Sequence, residues 1–101
     1  MNRVEAYEIL MAEFAPYREL PYQEIVKLVG QSSSRLVHAR SGTAYSIDVN
    51  VHWYKQESGR ILVEGMAAVA GTGPLQRIDE SLVVSPPQGI EERANTVEDR
   101  P

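Results

Sequence analysis

The sequence predicts an α+β fold in which two N-terminal helices pack on a four-stranded antiparallel meander, in the order ααββββ. Three observations predict it. Apolar residues recur at helical spacing between Val4 and Val29, then alternate in the manner of strands from Arg35 onward. The connectors between the alternating segments are too short for a parallel crossover, so neighbouring strands must run antiparallel. A chain of 101 residues can bury one hydrophobic core and is too short for two.

The first helix opens at Asn2, whose side chain can accept from a backbone amide three residues on, with Glu5 placed to complete a capping box. Val4, Tyr7, Met11 and Phe14 form the expected apolar stripe. Pro16 lacks the amide the helix needs and disfavours helical geometry at Ala15, so the helix is expected to end near Phe14. A second, two-turn helix follows: Pro21 suits its start, Tyr22, Ile25, Leu28 and Val29 form its face, and Gly30 ends it. Helices this short are marginal alone and need an apolar surface to lie on.

That surface is the sheet. Gln31 to Ser34 read as a polar connector. Strands are expected over 35–40, 43–54, 60–70 and 75–78, joined by turns at Ser41-Gly42, Gln56 to Gly59 and Gly71 to Pro74. In the second strand Tyr45, Ile47, Val49, Val51 and Trp53 point to the helices, and Ser46, Asp48, Asn50, His52 and Tyr54 point away. Ile61, Val63, Gly65, Ala67 and Val69 share the helix side of the third, and their small members admit a close helix. Asp79 to Ser85 read as a turn and a short edge segment, stopped by Pro86-Pro87. Residues 1–87 thus form a single domain. The tail 88–101, with four acidic and two basic side chains and few apolar anchors, is expected to be mobile.

Composition excludes several functions. The chain has no cysteine, so thiolate metal sites, disulfides and cysteine nucleophiles are out. The first residues, interrupted by acids, do not read as a signal peptide, and no apolar run is long enough to span a bilayer, which predicts a cytoplasmic protein without membrane association. The net charge of −4 is spread as −3 over residues 1–26 (2 basic, 5 acidic), +3 over 27–77 (6 and 3) and −4 over 78–101 (2 and 6). Six scattered cations do not make the concentrated basic field nucleic-acid binding requires.

No catalytic set stands out. His38 and His52, with Asp48 and Glu64, are the only arrangement resembling a metal or acid–base site, and a catalytic zinc usually takes three directed protein ligands. Gly-x-Ser-x-Gly is missing, and Gly71-Thr72-Gly73-Pro74 lacks the following helix that would hold a phosphate. Tyr45, Trp53 and Tyr54 suggest a stacking platform, but two of the three share the core side. No catalytic residue, metal ligand or cofactor is therefore expected.

Leu20-Pro21-Tyr22-Gln23-Glu24, Gly42 to Trp53, Gly59 to Gly65 and Leu75 to Val84 together resemble a family of short bacterial proteins with no assigned activity. The resemblance implies the helix-then-meander order and carries over no site residues.

The feature left to explain is the outer sheet face, where Leu62, Met66 and Ala68 lie beside Asn50, His52 and Tyr54. A partly apolar strip of this kind predicts a non-enzymatic interaction module, a homodimer or a binder of another protein, using Asn50, His52, Tyr54, Leu62 and Met66. The alternative is a small-molecule-binding domain or modest enzyme with a shallow polar pocket on the same face.

Overall fold

A computed structural model of the chain describes residues 1–71 and 76–87. A long helix, α1 (Arg3–Glu19), is followed by the five-residue helix α2 (Tyr22–Val26) and four strands, β1 (Ser32–His38), β2 (Ala44–Lys55), β3 (Arg60–Val69) and β4 (Arg77–Val84). The strands form one antiparallel sheet in the order β1-β2-β3-β4. The fold is therefore α+β with a helix and a four-stranded antiparallel sheet, and the second helix is reduced to a little over one turn. The expected mobile tail lies outside the described residues.

The helix outruns the proline expected to stop it. Pro16 sits inside α1, where it deprives the Ala12 carbonyl of its i+4 donor. Ala12, Ala15 and Pro16 are all exposed, so water can serve that carbonyl. Phe14 and Tyr17 on the other side are packed into the core and hold the last turn in place. At the other end Asn2 caps as expected, its Oδ1 accepting from the Glu5 amide at 3.0 Å. The Glu5 carboxylate turns instead to the sheet, accepting from Tyr45 Oη at 2.8 Å and Ser41 Oγ at 2.9 Å.

The face that α1 buries also differs from expectation. Ala6, Leu10 and Phe14 are fully buried, spaced four apart along a helix of 3.6 residues per turn. Val4 and Tyr7 fall on the flank of that stripe and remain 69% and 47% exposed. The closest approach of α1 is over β3 and β4. Gly65 makes it possible: a Cβ there would lie 2.8 Å from both Leu10 Cδ1 and Phe14 Cε1.

The sheet follows the predicted alternation. Tyr45, Ile47, Val49 and Val51 of β2, Ile61, Val63 and Ala67 of β3, and Ile78 of β4 join Ile25 in the buried cluster, with Trp53 packed against it. Two strand limits move. Ser32 to Ser34 belong to β1 because their hydroxyls find cross-strand acceptors: Ser32 Oγ donates to Asn50 Oδ1 at 2.6 Å, and Ser34 Oγ donates to Asp48. Asp79 and Glu80 make no turn but lie within β4, opposite Met66 and Gly65. An edge strand tolerates both charges, since neither is buried.

Candidate functional site

With α1 packed on one side, the other side of the sheet carries no helix among the described residues. The register lays it out in cross-strand rows: Ser32, Asn50, Glu64 and Ser81; Ser34, Asp48, Met66 and Asp79; Leu36, Ser46, Ala68 and Arg77; and at the far end His52, Leu62 and Val83. Asn50, His52, Leu62 and Met66 thus share the outer face, as their alternation predicts. Tyr54 does not continue the pattern. A bulge between Trp53 and Lys55 leaves it without a cross-strand partner, 48% exposed at the end of the strand.

The expected apolar strip is divided. Met66 has Asp48 on one side and Asp79 on the other, and Glu64 lies between it and Leu62 along β3. Met66 and these three carboxylates line a shallow hollow of about 430 Å³ with Asn50 and Ser81. Arg77 Nε is 3.4 Å from Asp79 Oδ2. The apolar part gathers at the far end of the face, where half-buried Leu62 adjoins Val83, 45% exposed, with Tyr54 beyond His52. Leu36, 53% exposed, stands apart on β1.

The two histidines do not meet. His52 Nε2 lies 2.7 Å from Glu64 Oε1. His38 is opposite Ala44, eight residues along β2 from His52, or about 27 Å at the rise of a strand. Among the described residues no group of three His, Asp or Glu side chains is placed to hold a metal ion. None of the helices among them is long and apolar enough to cross a membrane.

On the helix side the polar contacts are structural. Arg35 holds Glu13 through two nitrogens, Nε at 3.0 Å and Nη2 at 2.8 Å, which raises the guanidinium pKa further and ties β1 to α1. Tyr45 is fully buried, and burial first, then its bond to Glu5, raises its phenol above the ordinary value. Tyr22 Oη donates to the Gly59 carbonyl at 2.5 Å, and Pro86 packs over the same glycine. The start of α2 and the β2–β3 turn therefore meet in a corner that fixes that turn.

A second hollow escaped the sequence reading. About 330 Å³ in volume, it lies between the start of α1 and β4 and is lined by Arg3, Val4, Tyr7, Ile78, Asp79 and Glu80. The signal was present in the helix: Val4 and Tyr7 belong to an apolar stripe assigned to the core, whereas that stripe overhangs the edge of the sheet. No protein-family model matches the chain, and no curated protein or solved structure is similar to it.

Proposed function

We propose that the chain is a non-enzymatic protein-interaction module that engages a partner protein through the outer sheet face. The observation behind the reading is the juxtaposition on that face of the Leu62–Val83 patch and the acid-lined hollow beside Met66. An apolar patch flanked by four carboxylates against one guanidinium, Arg77, suits a partner whose own surface is apolar and basic. A second copy fits less well, because symmetric pairing centred on the hollow would turn Asp48, Glu64 and Asp79 toward their own mates. The resemblance to short bacterial proteins is compatible with this role and adds no activity.

Site-specific photocrosslinking in the source cells tests it. A photoreactive residue at Leu62 or Val83 should give defined adducts that the same residue at exposed Gln23 does not give. Adducts of twice the chain's own mass, with a dimer by light scattering that Met66→Glu splits into folded monomers, would establish the homodimer instead. Identical patterns at all three positions would end the reading. The hollow also favours a second reading, a site for a small cationic ligand. That reading requires a thermal shift with at least one member of a polyamine and metal panel.

A further inference from the structure

The outer face ends at β4, and that strand has a hollow on each side of it. β4 is an edge of the sheet: it pairs with β3 and, among the described residues, with no other strand. Every second residue of an edge strand turns its N–H and C=O away from the sheet, a ready template for one more strand. β4 is eight residues long, has no proline within it and keeps an unbroken register with β3. Of the devices that blunt an edge, bulges and prolines begin only at Pro86, while β4 itself carries the charges of Arg77, Asp79 and Glu80, which narrow the strands it can accept.

The side chains of an added strand would alternate between the two hollows. Toward α1 they would meet Val4 and Tyr7, whose exposure contrasts with the full burial of Leu10 on the same helix, and Ile78 beneath them, with Arg3 and Glu80 on the rim of the same hollow. Toward the outer face they would meet Asp79 directly, its carboxylate 3.4 Å from Arg77, with Glu64 and Asp48 on the next two strands. Along the other edge, β1, Ser32 and Ser34 are bonded to β2 and Arg35 is held by Glu13.

Charge selects the occupant. Asp79 and Glu80 sit in the middle of β4, so two copies pairing β4 to β4 would bring like charges together. The chain's own residues 88–101 carry four acids against two bases and are mismatched in the same way. We propose that β4 is the docking edge for an extended segment of a partner protein in which apolar residues, set over Val4, Tyr7 and Ile78, alternate with lysine or arginine set against Asp79. This deepens the interaction reading and rests on it only in taking the partner to be a protein.

The test is an NMR titration of the isotope-labelled full chain with capped peptides matched to the eight residues of β4. One alternates valine with lysine, one alternates valine with glutamate, and one is the lysine peptide with alternate backbone nitrogens methylated in either phase. The lysine peptide should shift Arg77 to Val84 and slow exchange of alternate β4 amides. The glutamate peptide should bind at least about tenfold more weakly, and methylation in the pairing phase should abolish binding. Asp79→Lys should reverse the preference between the two charges. Shifts confined to the Leu62–Val83 patch and indifferent to methylation would overturn the edge proposal and leave the face reading standing. Shifts at Ser32 to His38, no shift with the lysine peptide, or outward-turned β4 amides, those not bonded to β3, already slow in the free chain would also overturn it. In the last case the occupant is the chain itself.

Discussion

Gly65→Ala isolates the contact that lets α1 lie on the sheet. Gly65 is fully buried in β3, and its backbone is not in the left-handed region that penalises a side chain, so the methyl group itself is the perturbation. It would lie 2.8 Å from Leu10 Cδ1, 2.8 Å from Phe14 Cε1 and 2.9 Å from Phe14 Cζ. Leu10 could turn its terminal methyl away, but it is itself completely buried, and the edge of the Phe14 ring cannot bend. The helix must therefore lift or both rotamers must change. Overpacking of this kind costs about 1–3 kcal/mol, offset by about 0.5–1 kcal/mol because alanine loses less backbone entropy on folding. A net loss of about 1–2 kcal/mol lowers the melting temperature of a domain this size by about 4–16 °C. Urea and thermal unfolding followed by far-UV circular dichroism measure it. Combining the change with Leu10→Ala, which alone costs about 2–5 kcal/mol, should show coupling, since one of the two obstructions is gone. A Gly65→Ala protein as stable as the wild type, or strict additivity in the cycle, would refute the close-approach argument.

Tyr22→Phe removes the half-buried bond to the Gly59 carbonyl and should cost about 1 kcal/mol, read as a lower urea midpoint at unchanged slope; no change would mean that Pro86 alone fixes the turn. Tyr45→Phe should cost a similar amount by removing one of the two hydroxyls that Glu5 accepts from. It also alters the alkaline limb. The folded-state pKa of Tyr45 lies above its unfolded value near 10, so its contribution to stability is complete below that pH and is lost as pH rises through the higher folded value. The phenylalanine variant should therefore lose stability less steeply above about pH 10, and parallel pH curves would contradict this. Pro16→Ala restores a donor to the Ala12 carbonyl in an exposed stretch of α1 and should stabilise by about 1–3 kcal/mol; a destabilised variant would show that the proline is needed where it stands.

Much of the fold was legible because its signals were periodic. Alternation through Tyr45, Ile47, Val49 and Val51 assigned the core side of β2, and the small residues Gly65 and Ala67 announced the close helix. What failed were local rules overruled by tertiary partners. Pro16 is a strong helix terminator only if nothing beyond it is anchored, and Phe14 and Tyr17 are anchored. Ser32 to Ser34 resemble a linker only if their hydroxyls have no acceptors, and Asn50 and Asp48 supply them from β2. Asp79-Glu80 has the composition of a turn, yet an edge strand leaves both carboxylates in water and extracts little cost for keeping them extended. The bulge at Tyr54 has no composition signal at all, being a consequence of how β2 meets the turn before β3.

The site was legible in part for the same reason. Alternation alone placed Asn50, His52, Leu62 and Met66 on one face, but alternation says nothing about which neighbours lie across the strands. Only register shows that Met66 stands between Asp48 and Asp79, which turns an expected apolar strip into an acidic hollow with its apolar patch displaced toward Leu62 and Val83. The helix stripe went astray through a rotation of about a quarter turn. Val4, Tyr7 and Met11 are at helical spacing with Phe14, but the buried line runs through Ala6, Leu10 and Phe14, about 80–100° away at 100° per residue. A helix whose apolar arc is wider than the sheet beneath it must leave one flank uncovered. In this chain the uncovered flank lies over the acidic edge strand, and that places a hollow with an apolar floor of Val4, Tyr7 and Ile78 and a more acidic one on opposite sides of a single backbone template.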